Sequence, residues 1–233
     1  MKSCDTVAVI LAGGRGSRMK KTGVPKQFLK LGDKTIVEWT LGRFAACPGV
    51  KRIVLVCPKM YLSKVLKIVS RSGYRIPVEI IEGGPTRQES SYLALEYLSK
   101  HQPPGIVVIH DAARPFVGQS VIRASIKAAQ IYGAAETAVS AIDTIVESDK
   151  HYVKKVLDRS SLFYVQTPQS FQFELIWSAH QEAKKLGIVD ATDDVQLVFQ
   201  LGHKVRLIEG SSANFKITTF FDYRMANYVG LNK

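Results

Sequence analysis

Cysteine is scarce in this chain of 233 residues: Cys4, Cys47 and Cys57 are its only three, an odd number with no CxxC pair. A disulfide framework is thereby disfavoured, and a reducing cytoplasm is the expected compartment. No apolar run reaches the roughly 18 residues that a membrane-spanning helix needs, so no membrane partner is expected. The apolar stretch 7–12 is too short for a secretory signal and ends in glycines. Internal repeats and low-complexity linkers are also missing. Two familiar phosphate loops are absent: Gly16-Ser17 lacks the lysine that GxxxxGK[ST] places after its second glycine. Gly14-Arg15-Gly16 is followed by Met19 where GxGxxG requires glycine. A P-loop ATPase and a nicotinamide-dependent enzyme are therefore disfavoured, and no Ser-His-Asp or Cys-His arrangement points to nucleophilic catalysis.

Acidic residues are few, 20 against 32 Lys and Arg, which leaves a formal charge of +12. Such a balance points to an anionic partner or to a solvated basic surface. The basic residues are spread along the whole chain, with no basic tail or single amphipathic stripe and no RNA-binding aromatic motif, so nucleic acid is not the expected partner. A hydrophobic fraction of 46% excludes intrinsic disorder. The length fits a single domain, 1–233, able to bury a large core without a disulfide or metal staple.

Short β-branched runs bounded by Gly and Pro alternate with helical periodicities. Strands are expected at 6–11, 52–57, 78–82 and 105–110, with helices over 34–47, 60–70 and 88–100 between them. Uninterrupted apolar runs mark strands covered on both faces. The alternation predicts an α/β fold with a mostly parallel sheet and right-handed crossovers. Farther on, helices are expected at 119–132, 172–186, 193–201 and 220–229, and extended segments at 136–142 and 204–209. A polar, β-prone stretch within about 140–165 predicts a hairpin or arm projecting from the sheet.

The first strand runs into Leu11-Ala12-Gly13-Gly14-Arg15-Gly16-Ser17-Arg18-Met19 and then Pro25-Lys26-Gln27. Three glycines within four positions let backbone N–H groups approach an anion closely. The loop lies where open parallel sheets bind ligands, and Arg18 and Lys26 add charge suited to a triphosphate. Taken alone, the loop is also compatible with a tight strand-to-helix turn. Gly83-Gly84-Pro85-Thr86-Arg87-Gln88-Glu89-Ser90-Ser91 follows the third strand and reads locally as a helix N-cap at Thr86. His110-Asp111-Ala112-Ala113-Arg114-Pro115 ends the fourth, where a carboxylate can hold a hydroxyl or a Mg²⁺ ion, or pair structurally with Arg114. Thr192-Asp193-Asp194 reads as a helix cap.

The glycine loop with its PKQFL continuation resembles the signature of nucleotidyltransferases with a Rossmann-like core. The HDAARP run, Asp158-Arg159, Thr167-Pro168-Gln169 and Asn214-Phe215-Lys216 narrow the resemblance to the 2-C-methyl-D-erythritol 4-phosphate cytidylyltransferase family. The motifs extend from Leu11 to Lys216. The resemblance implies a three-layer, Rossmann-like nucleotidyltransferase fold with a twisted, mostly parallel sheet and a protruding β-arm. It implies a homodimer and Mg²⁺, and transfer of CMP from CTP to methylerythritol phosphate with release of pyrophosphate, as in non-mevalonate isoprenoid synthesis. Arg18, Lys26 and Lys216 would be the catalytic cations. Leu11, Ala12, Gly13, Gly14 and Gly16 would hold the triphosphate, and Gly84, Arg87 and Ser90 would border the cytosine. Asp111 and Ala112 would meet ribose or metal. Asp111, Arg114 and Thr167, with Thr144 and Arg159 from an arm swapped across the dimer, would grip the polyol phosphate.

The implied nucleophile is a phosphate oxygen with a second pKa of ~6, already mostly ionised at neutral pH, so no general base is needed. Ribitol-5-phosphate cytidylyltransferases are the near alternative. The arm sequence Asp143-Thr144-Ile145-Val146-Glu147-Ser148 is more similar to theirs, lacking a basic residue after the threonine. Asp111-Ala112-Ala113-Arg114, Asp158-Arg159 and Thr192-Asp193-Asp194 are more similar to the methylerythritol enzymes. A non-catalytic nucleotide- or nucleic-acid-binding module is the alternative of another class, kept open by the basic charge.

Overall fold

Thr6–Leu11, sequence TVAVIL, is buried along its whole length and forms β1, next to the central strand of a seven-stranded sheet. The structure, a computed structural model, describes residues 5–14 and 24–231. After β1 come a small hairpin of β2 (Lys30–Leu31) and β3 (Lys34–Thr35), then α1 (Ile36–Ala45), β4 (Val50–Cys57) and α2 (Leu62–Arg71). Next are β5 (Val78–Glu82), α3 (Arg87–Lys100), β6 (Ile106–Asp111), α4 (Gln119–Tyr132) and β7 (Ala134–Ser140). A ribbon of β8 (Val146–Ser148) and β9 (Val153–Val156) leads to β10 (Phe163–Gln172), α5 (Phe173–Lys185), α6 (Asp194–Gln200), β11 (Arg206–Glu209) and α7 (Phe220–Leu231).

The sheet order is β11-β7-β10-β6-β1-β4-β5. β1 pairs in parallel with both β4 and β6, β4 with β5, and β11 with β7. Only β10 runs against its neighbours β6 and β7. From β1 the chain builds outward through β4 to β5 on one side, then returns to place β6 on the other. The crevice beyond the carboxyl end of β1 is the topological switch point at which such sheets bind ligands.

Alternation along β1 explains the three layers. Ala8 and Ile10 face a core with Val37, Leu41 and Phe44 of α1, Val65 of α2 and Ile122 of α4. Val7, Val9 and Leu11 face another with Leu95 and Leu98 of α3, Ile176 of α5 and Val198 of α6. Both faces are apolar, as a doubly covered parallel sheet requires.

One expectation is corrected here, and one strand is added. The helix expected over 34–47 begins at Ile36, because Lys34 and Thr35 pair with Leu31 and Lys30 and Thr35 caps α1 through a capping box with Glu38. Residues 163–172, for most of which the sequence predicts no element, form the long strand β10. Its ladder with β7 is interrupted between Gln166 and Gln169, which is where Pro168, lacking an N–H, is tolerated. The expected arm is present as the β8–β9 ribbon, exposed throughout. Among the described residues no helix is long and apolar enough to cross a membrane.

Candidate active site

The ends of β1 and β6 lie side by side, Leu11 in register with Asp111. Beyond them the ladder continues into the loops: Ala12 N–H donates to Val56 O, Ala112 N–H to Leu11 O and Gly83 N–H to Cys57 O. These bonds fix three loops around one cavity of about 300 Å³. Its walls come from the glycine loop (Leu11 to Gly14), from Lys26 and Gln27, from the start of α3 (Thr86, Arg87, Ser90), from Asp111 to Ala113, and from Lys216 and Thr218.

Each wall is held by local chemistry. Buried Gln27 donates its amide to Ala12 O at 2.7 Å, tying the segment after the glycine loop back to β1. A Cβ at Gly14 would lie 3.8 Å from Lys26 Cε, so the absence of a side chain keeps the loop backbone open beside that lysine. At Gly84 a Cβ would run into the Glu89 side chain, 2.6 Å from its Cβ, so the turn into α3 closes tightly only on glycine. Thr86 caps α3 by accepting from Glu89 N–H at 3.0 Å. Ser90 donates to Thr86 O at 2.9 Å and faces the cavity. The backbone bond from Ile217 N–H to Ala113 O, 2.9 Å, carries Lys216 to the end of β6.

Asp111 is the electrostatic centre. Lys216 Nζ lies 2.7 Å from Oδ2, Arg87 Nε 3.5 Å from Oδ1 and Arg114 Nε 3.8 Å from Oδ2. Burial pushes this carboxyl up, but Arg87, Lys216 and Arg114 outweigh it and hold it well below the usual range. The backbone N–H of Asp111 donates to Thr167 Oγ1, which also bonds His110 Nδ1 at 3.0 Å. Burial lowers His110 to about 3, so the ring is neutral. Its Nε2 meets Arg114 O, and the Arg114 guanidinium donates to Asn214 O at 2.8 Å.

Of the residues read from the sequence, Leu11, Ala12, Gly13, Gly14, Lys26, Arg87, Ser90, Asp111, Ala112 and Lys216 line this one cavity. Gly84 shapes its edge. Arg114 and Thr167 do not line it; both are buried behind Asp111 and hold it in place. Thr144 and Arg159 lie on the exposed arm, where Arg159 donates to Ile142 O at 3.0 Å. Gly16 and Arg18 fall outside the described residues. Thr218 and Gln27 of the PKQFL run also belong to the cavity, although the sequence assigns neither of them a role. Asp194, Gln169 and His180, which hold Arg87 from behind, gave no sequence signal beyond a helix cap and a TPQ run.

Comparison with known proteins agrees with this fold. A protein 40% identical over 222 residues, covering 95% of each chain, is the 2-C-methyl-D-erythritol 4-phosphate cytidylyltransferase of Geobacillus kaustophilus. Another, 36% identical over 223 residues and covering 94% of this chain and 96% of its own, is the ribitol-5-phosphate cytidylyltransferase of Lactiplantibacillus plantarum. The crystal structure of 4-diphosphocytidyl-2C-methyl-D-erythritol synthase from Anaerococcus prevotii superposes with a TM-score of 0.85 at 27% identity, covering 98% of this chain and 96% of that one. The Rossmann-like nucleotidyltransferase fold thus recurs in a solved relative, and the model of the IspD family, 2-C-methyl-D-erythritol 4-phosphate cytidylyltransferase, matches residues 6–230: the chain belongs to that family.

Proposed function

We propose that this protein transfers CMP from CTP to 2-C-methyl-D-erythritol 4-phosphate, releasing pyrophosphate and forming CDP-methylerythritol. The observation that carries this reading is the cavity at the switch point, where Arg87 and Lys216 pair with Asp111 and Lys26 lines the same wall as a glycine loop. That set suits a polyphosphate, and it belongs to a family named for this reaction.

The chemical difficulty is to join two polyanions and spread charge as the α-phosphorus is attacked. Such transfer depends on positioning and electrostatic stabilisation. The backbone of Gly13 and Gly14 lies open to the triphosphate, and Lys26, with Arg18, neutralises it. Lys216, paired with Asp111 in the free protein, is placed to turn to the α-phosphate. Ser90 and the Gly84 turn border the base, and Asp111 and Ala112 the ribose. The donor chemistry fits a divalent ion carried by the nucleotide: one cavity carboxylate, Asp111, and no group of three metal-ligating side chains among the described residues. Asp111 with the phosphate oxygens would hold Mg²⁺, which neutralises the triphosphate when bound.

The arm supports a homodimer. An isolated two-stranded ribbon is marginal in water, and Ile142, Tyr152, Val153 and Val156 expose apolar side chains there. Covering them with a second copy brings Thr144 and Arg159 to the partner's site, where a guanidinium can bind the polyol phosphate through paired hydrogen bonds. Cys47 and Cys57 are buried thiols, which fits a cytoplasmic setting.

Ribitol 5-phosphate is the second reading, favoured by the arm sequence and by the Lactiplantibacillus relative. Pyrophosphate release from CTP and Mg²⁺ with each polyol decides between them. A preference for methylerythritol phosphate is expected. A preference for ribitol phosphate reassigns the substrate, and no release with either removes the catalytic reading.

A further inference from the structure

Asp194 lies 107 residues from Arg87 in sequence, yet its Oδ2 accepts from Arg87 Nη1 at 2.6 Å, the shortest contact the guanidinium makes among the described residues. The Asp194 side chain is 1% exposed and does not line the cavity. Its other oxygen is bonded to His180 Nε2 at 2.9 Å, a ring equally buried on α5. The second terminal nitrogen of Arg87 donates to Gln169 Oε1 at 3.3 Å, and Nε points to Asp111. Gln169 cannot flip without loss, because its Nε2 donates to both oxygens of buried Glu136 at 3.1 Å. Every nitrogen of Arg87 therefore has a protein acceptor, and two of those acceptors stand behind the cavity wall.

The neighbouring acid does different work. Asp193 caps α6, accepting from Gln196 N–H at 2.9 Å. Asp194 is the first residue of the helix and is not needed for that cap. A buried carboxylate aimed away from its own helix and satisfied by one guanidinium and one imidazole is a device for holding the guanidinium. A planar fork held at both ends has one orientation.

We propose that Asp194, backed by His180, is a positioning residue for nucleotide transfer: it aims Arg87 so that Asp111 and, through it, Lys216 stand correctly for CTP. The proposal deepens the cytidylyltransferase reading and rests on it. Asp194 touches no substrate, and its contribution passes through Arg87 alone.

The test is a double-mutant cycle on the full-length protein, read as kcat/KM for pyrophosphate release and as calorimetric CTP·Mg²⁺ affinity. Thermal melts show that each variant is folded. A charge-assisted hydrogen bond is worth about a 10- to 100-fold change, so Asp194→Asn is expected to lower kcat/KM by that factor. In the Arg87→Ala background the same change is expected to cost nothing further. A merely structural role gives losses that multiply, and that result overturns the proposal, as does an Asp194→Asn enzyme within threefold of wild type. If Asp194→Asn does not fold, His180→Gln takes its place, with a smaller loss that also vanishes in Arg87→Ala. Wild-type protein that binds CTP but turns over neither polyol refutes the transfer reading alone, and the cycle is then read on affinity. Wild-type protein that does not bind CTP refutes both.

Discussion

Lys216 Nζ stands 2.7 Å from Asp111 Oδ2, and this pair joins the segment after β11 to the end of β6 across the mouth of the cavity. The carboxylate holds the ammonium where an incoming α-phosphate needs it. Lys216 is itself about one-third exposed, so its removal costs the fold little. Lys216→Ala is expected to lower kcat/KM by about 10²- to 10³-fold, the range for losing one preorganised charge-stabilising donor, with an unchanged melting temperature. Lys26→Ala and Arg18→Ala are expected to lower kcat by a similar factor. Steady-state kinetics beside thermal melts check all three, and near-normal turnover in any one removes that residue from the catalytic set.

Asp111 behaves differently. Its carboxylate offsets three cations, Arg87, Arg114 and Lys216, and two of these are largely buried. Asp111→Asn takes from Arg114 and Lys216 the carboxylate they share and leaves Arg87 with the Asp194 carboxylate alone, and breaking a buried charge cluster by removing one partner costs about 3–5 kcal/mol. This variant is therefore expected to lose activity and to unfold at lower denaturant concentration. A chemical denaturation curve that overlays the wild type contradicts the electrostatic account of the site.

The difference between these residues shows how far the sequence could be read. β1, β4 and β6 are legible because they are apolar on both faces, and β5 because its short Val/Ile run lies between two helical periodicities. β10 is not, because Gln166, Thr167, Gln169 and Ser170 look like a loop until their partners are known. Asn214, His110, Glu136 and Ser125 satisfy them across the fold. In the site, Asp111 is legible as a motif residue at a strand end and Lys216 as a motif residue in the segment after β11. The bond between Asp194 and Arg87 is not, since adjacent acids before a helix read locally as a cap. Only the packing of α5 and α6 against α3 shows that one of the two turns inward.

Glu136 supplies a pH signature. Burial pushes its carboxyl up to about 8 from an ordinary 4.5, with Asp193 adding to the shift and the Gln169 hydrogen bond opposing it. The folded protein keeps the proton that the unfolded chain releases near 4.5. Stability contributed by this group is thus full at low pH and is lost as pH rises through 8. Buried His110, lowered to about 3 from 6.5, has the opposite slope below 6.5, so the wild-type curve mixes the two. The difference between wild type and Glu136→Gln isolates Glu136. The variant's advantage in melting temperature is expected to grow from pH 5 to about pH 8 and then to level off towards pH 9. A constant difference across that range shows that Glu136 ionises normally.

The arm gives the most discriminating prediction about assembly. If Arg159 serves the partner's cavity, Lys26→Ala and Arg159→Ala damage opposite ends of a site shared between two protomers. Each homodimer is then inactive, but a mixed dimer has one site carrying both lesions and one carrying neither. Random exchange of equal amounts makes about half of the dimers mixed, so activity is expected to return to about a quarter of wild type in a two-fold symmetric dimer. If Arg159 instead serves the cavity of its own chain, every site in the mixture keeps one lesion and no activity returns. Turnover after co-refolding the two variants separates the cases. The exposed Ile142, Val153 and Val156 give an independent control. Charged substitutions there are expected to yield monomers by sedimentation, and with the dimer gone the recovery is lost as well.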